Sequence, residues 1–234
     1  MAVIDGSTSK TPLRVNPTMT NGRLAMIVIR DYISQMPVTI TCKEFCDTIT
    51  RQLLHIYLGH HIDLDMLRCH PETRLTASAA VYSLYHHEVW LVGDCQAIVN
   101  GKLYKNEKPC ERMVAERRVS FIRQGYSQQE ARRMVEPFLI DTMKGQNVAY
   151  AVIDGFPIPF DAVKMIKVTG EEVVLASDGY PFLRDTLEES ENRLKSHLTH
   201  DPQNIRDFLA TKGLVEGNLS FDDRAYIRFV NPTT

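Results

Sequence analysis

Four times in a chain of 234 residues, an apolar run ends in an aspartate with a glycine beside it. The copies are Val3-Ile4-Asp5-Gly6, Leu91-Val92-Gly93-Asp94, Val152-Ile153-Asp154-Gly155 and Leu175-Ala176-Ser177-Asp178-Gly179. Phe221-Asp222-Asp223, just before the final apolar run, is a related end. A buried strand fixes the backbone, the Asp at its end projects a carboxylate, and the Gly lets the chain turn or approach a ligand closely. Several such ends side by side concentrate negative charge. Close carboxylates repel, so a divalent cation is needed to keep them ionised. An oxygen-only ligand set suits Mg²⁺ or Mn²⁺ better than zinc. Asp-Gly is also a strong turn signal, so spacing alone leaves plain turns and a metal site both open.

The elements that must carry these carboxylates follow from hydrophobic periodicity. Residues 2–6 read as a short buried strand. Leu24, Ala25, Ile27, Val28, Tyr32 and Ile33 predict a helix closed by Pro37. Thr41 and Glu44 form a capping box, and Phe45, Ile49, Leu53 and Ile56 then mark one buried helical face. Strands are predicted at 75–84, 88–92 and 96–99, with a turn at Tyr85-His86-His87. A hairpin at Asn100-Gly101 leads into Leu103-Tyr104, which together predicts an antiparallel meander. Helices return at 109–124 and 127–143, with Pro137 expected to kink or shorten the second. Further strands are expected at 149–153, 163–168, 172–176 and 225–230. Two more helices are expected, one at 183–198 and one opening at Asp201-Pro202. Helices and strand blocks in this order predict an α+β chain, with residues 1–234 forming a single domain.

Bulk properties exclude several functions. The hydrophobic share is 44%, the charged share 24% and the net charge -2, ordinary values for a globular protein without a basic footprint for nucleic acid. The basic stretch 111–118 is interleaved with Glu116 and reads as a solvated helix face. No apolar run approaches the roughly 20 residues needed to span a bilayer; the longest clear one is 24–29. No signal-peptide pattern opens the chain. Five cysteines at irregular spacing fit reduced thiols in a cytoplasmic protein.

The same carboxylates carry a resemblance. Asp5-Gly6, the Thr76-Ala77-Ser78 segment, Gly93-Asp94, Leu175-Ala176-Ser177-Asp178-Gly179 and Asp223 before Tyr226-Ile227 resemble, in order, the motifs of the metal-dependent protein phosphatases of type 2C. Leu-Ala-Ser-Asp-Gly is the most specific of them. The resemblance implies a four-layer α-β-β-α sandwich with two central antiparallel sheets and helices outside. It implies two Mg²⁺ or Mn²⁺ ions held by Asp5, the Gly6 carbonyl, Asp178 and Asp223, with Asp94 on the rim; Asp5 and Asp178 would be catalytic. The implied reaction is hydrolysis of phosphoserine or phosphothreonine in a protein substrate by in-line attack of metal-activated water. Three departures are visible. Cys95-Gln96 stands in place of Ser-Arg, Arg224 in place of Asn, and Ser7-Thr8-Ser9 in place of His-Gly-Gly. The family also places a Glu-Asp strand, usually with a phosphate-binding Arg, before its first Asp-Gly. Only four residues precede Asp5, so the expected domain lacks that strand. A binding or regulatory module with weak or no turnover is therefore the alternative to an enzyme.

Other candidates read as structural. Asp154 has no counterpart in the family's ligand set and is expected to end a strand in a turn. Cys42 and Cys46, followed by His55, His60, His61, Cys69 and His70, match no familiar zinc spacing. A Cys95 thiolate is disfavoured by Asp94 beside it. His86-His87 is expected at an exposed hairpin tip, and Trp90 between the sheets. Lys10 and Arg14 are candidates to bind phosphate, with a solvated loop as the simpler role.

Overall fold

A computed structural model describes residues 1–170 and 172–231. Strand β1 (Ala2–Gly6) is followed by helices α1 (Asn21–Gln35), α2 (Cys42–Gly59) and α3 (Leu64–Cys69). Strands β2 (Ala77–Ser83), β3 (Glu88–Val92), β4 (Gln96–Val99) and β5 (Lys102–Lys105) come next, then helices α4 (Glu111–Arg123) and α5 (Gln128–Met143). Strands β6 (Lys164–Lys167) and β7 (Glu172–Ala176), helix α6 (Leu187–His200) and strand β8 (Tyr226–Val230) complete the order. The strands form two antiparallel four-stranded sheets, β1-β2-β3-β6 and β5-β4-β7-β8.

Alternation along the strands decides what each face meets. Ala80, Tyr82, Val89 and Leu91 of the first sheet share one buried core with Ala97, Val99, Val173 and Leu175 of the second. Their neighbours Ala79, Val81, Trp90 and Val92 turn the other way, onto Ala25, Ile29, Phe45, Ile49 and Leu53 of α1 and α2. On the second sheet, Ile98, Val174 and Ala176 meet Leu183, Leu194 of α6 and Phe221. Each large aliphatic side chain so buried contributes about 1.5–3 kcal/mol.

The differences from the sequence expectation have local causes. The meander breaks after β3: the chain leaves one sheet and enters the other at Gly93-Asp94-Cys95, so β4 pairs with β5 and β7. Trp90 lies on the helix side of its sheet, its ring 5.9 Å from Phe45, with the indole N–H donating to Glu88 at 2.9 Å. Residues 149–153 form isolated bridges, Ala77 with Ile153 and Gln146 with Tyr150, instead of a strand. Asn147 explains this: at φ 54° its side chain accepts the Val152 N–H and donates to Asp154, shaping a loop. Pro137 does not end α5, which runs on to Met143. No helix opens at Asp201-Pro202, because the Asp201 carboxylate gathers the N–H groups of Ile205, Arg206 and Asp207 into a set of turns. Helix α6 starts later than expected, where Thr186 caps it by accepting the Glu189 N–H.

Asp154 is buried and tied into the fold. Its carboxylate accepts from Arg74 at 2.9 Å, from Asn147 at 2.7 Å and from the Phe156 N–H at 2.9 Å. The Arg74 guanidinium also donates to the Leu67 carbonyl and lies 3.9 Å from the centroid of the Phe156 ring. The Tyr57 hydroxyl closes the network, donating to the Asp154 carbonyl and accepting the Leu75 N–H, both at 2.7 Å. Cys42 and Cys46 are buried in the helix-side core, while His55, His60, His61, Cys69 and His70 are exposed. Among the described residues no helix is long and apolar enough to cross a membrane.

Candidate carboxylate site

Asp5 ends β1 in one sheet and Asp178 follows β7 in the other, and their carboxyl groups come within hydrogen-bonding reach of each other. Close backbone approaches at glycine make this possible. A Cβ on Gly6 would stand 2.5 Å from the Gly22 carbonyl oxygen, so the end of β1 lies directly against the start of α1. A Cβ on Gly179 would stand 2.2 Å from the Asp223 carbonyl oxygen. The loop after β7 is held there by the Ser177 N–H to Ala225 O bond at 3.1 Å and the Ala225 N–H to Ser177 Oγ bond at 3.0 Å.

Asp94 reaches the same place from the crossover between the sheets. Ser78 lies opposite Asp5 in the β1–β2 register. Its hydroxyl donates to the Asp94 carboxylate at 2.5 Å and accepts the Asp94 N–H at 3.2 Å. Gly93, at φ +85°, lets the turn pass so close that a Cβ there would sit 2.1 Å from Ser78 Oγ. The second carboxylate oxygen of Asp94 pairs with Lys108 at 2.5 Å. Asn106 brings Lys108 there by donating to the Leu91 and Gly93 carbonyls at 3.3 and 2.8 Å.

The electrostatics follow from this crowding. Desolvation and the charges of Asp94 and Asp222 push the Asp5 carboxyl up to about 6, against the bond to Asp178 and the pull of Lys108. Asp178 is pushed well above the usual carboxylate range by the surrounding protein and by Asp94 and Asp5. Its side chain is nevertheless open to solvent, so it sits in a crowded but accessible position, as a ligand site requires. Asp94 behaves oppositely. Desolvation pushes its carboxyl up, but Lys108 and Ser78 outweigh that and hold it below the usual range. Desolvation would lower the Lys108 ammonium, yet Asp94 and Glu111 outweigh it and keep it charged. The Cys95 thiol, buried beside the three carboxylates, is pushed far up, which agrees with an unreactive side chain.

A raised carboxylate destabilises the folded state when ionised. For Asp5 this penalty is absent below its ordinary value of 3.8 and grows as pH rises through about 6. A cation held between Asp5 and Asp178 would remove it. Two carboxylates with retained waters are a normal Mg²⁺ donor set, so this pair fits one such ion. Among the described residues no three His, Cys, Asp or Glu side chains are gathered to hold an ion together. The remaining expected ligands are placed differently. Asp94 is engaged by Lys108 and Ser78. Asp223 offers its backbone to Gly179 while its side chain is exposed, and Asp222 is the neighbour whose charge reaches Asp5. Arg224 is turned away into a two-pronged pair with Glu191 at 2.7 and 2.9 Å.

Arg14 is exposed and donates to the carbonyls of its own loop, Thr11 and Leu13. Lys10 is half-buried beside Arg132, Lys212 and Asp222; burial and the two cations lower it to about 8. Lys108 was not legible as a site residue, and the motifs that contain Ser78 and Asp222 gave neither a role of its own. The strand-end pattern singles out carboxylates after apolar runs, whereas Lys108 arrives on a loop positioned by Asn106.

No family model and no curated protein matches the sequence. Among solved structures the chain is similar to one described as PppA, a key regulatory component of T6SS in Pseudomonas aeruginosa. The identity is 15% over 85% of this chain and 72% of that one, with a TM-score of 0.37. It is also similar to a bacterial serine phosphatase, at 12% identity over 100% of this chain and 98% of that one, with a TM-score of 0.40.

Proposed function

We propose that this chain is a phosphatase 2C-like, four-layer α-β-β-α domain spanning residues 1–234 that hydrolyses phosphate monoesters with Mg²⁺ or Mn²⁺, phosphoserine or phosphothreonine in proteins being the substrate class. The observation that carries the reading is the meeting of Asp5 and Asp178 from two different sheets, with Asp94 close enough to press on both. A fold gains nothing by itself from carboxyl groups brought into mutual repulsion, and perturbed acids of this kind mark functional positions. The ordered strand-end motifs, above all Leu175-Ala176-Ser177-Asp178-Gly179, support the same family.

Asp5 and Asp178 would hold the cation, with the Gly6 carbonyl as a further oxygen donor. When bound, the ion would supply an acidified water and neutralise phosphoryl charge. Lys108, fixed by Asp94, would offer a permanent ammonium to the charge that develops on a transferred phosphoryl group. Ser78 and Asn106 hold that pair in position. Asp94 would join a second ion only by exchanging Lys108 for it.

A second reading has a specific observation behind it. The Lys108–Asp94 pair already gives the cluster a built-in cation, so a binding or regulatory module without turnover is the alternative. Purified protein assayed on an aryl phosphate separates the two. The enzyme reading expects hydrolysis with Mn²⁺ or Mg²⁺ that stops on adding a chelator. No turnover with either ion, together with turnover gained in Lys108→Met, would establish the second reading.

A further inference from the structure

We propose that Lys10, Arg118, Arg132 and Lys212 form a binding site for a phosphate-class anion, set between the loop around residue 10, the α4–α5 hairpin and the segment 201–222. The choice of phosphate as the anion rests on the reading above; the site itself rests on the following geometry.

Arg118 is completely buried. One of its terminal nitrogens, Nη1, donates to the Gln203 and Ala210 carbonyls at 2.9 and 3.1 Å. Its Nε and Nη2 have no hydrogen-bond partner among the described residues. A buried guanidinium with two idle donors is costly, because unmet charged donors lose their full solvation. Arg132, one helix over, donates to the Thr211 carbonyl at 2.7 Å and lies close enough to Arg118 and to Lys10 to disfavour the charge on each. Lys212 adds a further cation beside Lys10.

Three hydroxyls near these groups in sequence are also without partners among the described residues. Ser9 Oγ and Thr11 Oγ1 flank Lys10, and Ser220 Oγ lies two residues from Asp222; all three are buried and unpartnered among the described residues. Of the carboxylates facing the cluster, one engages a donor of the site, Asp222 through Lys212, and none is bonded to Lys10, Arg118 or Arg132. Asp201 is turned onto three backbone N–H groups. Glu111 and Glu136 are exposed. Planar arginine donors, ammonium groups and hydroxyls are the groups that recognise phosphate oxygens. The charge of Asp222 reaches both Lys10 and Asp5, which relates the anion site to the carboxylate site. This chain would therefore hold phosphate from the α4–α5 side.

Calorimetric titration of the full chain with inorganic phosphate, in chelator, tests this. Saturable binding is expected, weakened at least tenfold in Arg132→Gln and in Lys10→Gln. It should be unchanged in Arg112→Gln, an exposed α4 side chain paired with Glu116. Circular dichroism confirms that each variant is folded. No binding by the wild-type chain, or equal binding by the two basic-site variants, overturns the proposal. Loss of binding in Asp178→Asn alone overturns it too, since phosphate would then sit at the carboxylates. Binding with the expected pattern in a chain that hydrolyses nothing leaves this site standing and removes the enzyme reading.

Discussion

Asp178→Asn should reduce cation-dependent hydrolysis at least ~100-fold, because even groups that only support a metal ligand cost 10–100-fold when removed. The substitution keeps the shape of the side chain and removes one charge from a pair in contact. The protein without cation should therefore keep its thermal midpoint or gain slightly, since the charges of Asp94 and Asp5 now oppose ionisation of Asp178. A side chain that merely supported the fold would give the opposite pattern, with stability and activity falling together. Activity retained at the wild-type level removes Asp178 from the site.

Arg74→Met should destabilise the fold by about 3–5 kcal/mol, the usual cost of leaving half of a buried ion pair behind. Asp154 would be the stranded partner, with Asn147 and the Phe156 N–H as its remaining donors. Burial already raises the Asp154 carboxyl, and the Arg74 guanidinium opposes that rise. Removing the guanidinium raises the carboxyl further. A raised carboxyl contributes stability at low pH that is lost as pH rises through its folded value. The deficit of the variant should thus be larger at pH 8 than at pH 5, read from urea midpoints. An equal, small deficit at both values would mean that Arg74 contributes only packing against Phe156.

The fold was legible where periodicity was strong. The helical spacing of Phe45, Ile49 and Leu53 and the short apolar run in 88–92 both correspond to the observed elements. Periodicity could not tell to which sheet a strand belongs. The crossover at Gly93-Asp94-Cys95 is set by long-range pairing of β4 with β7, and Trp90 follows the face that its strand turns to α2. Side-chain chemistry overrode local signals at Asn147, whose amide joins the Val152 N–H to the Asp154 carboxylate, and at Asp201, whose carboxylate gathers three backbone N–H groups. The candidate site was half readable. Strand ends identify Asp5, Asp94 and Asp178, but Ser78, Lys108 and Asp222 act through contacts distant in sequence. The repeated Asp-Gly pattern also divides: Asp5 and Asp178 meet each other, while Asp154 meets Arg74.

The central claim is that Asp5 and Asp178 together hold a divalent cation. Titration calorimetry with Mn²⁺ on the wild-type chain and on Asp178→Asn, at pH 7.5, tests it most directly. The account predicts saturable Mn²⁺ binding by the wild-type chain that Asp178→Asn abolishes. A wild-type chain that binds no Mn²⁺, or a variant that binds it equally well, would contradict it.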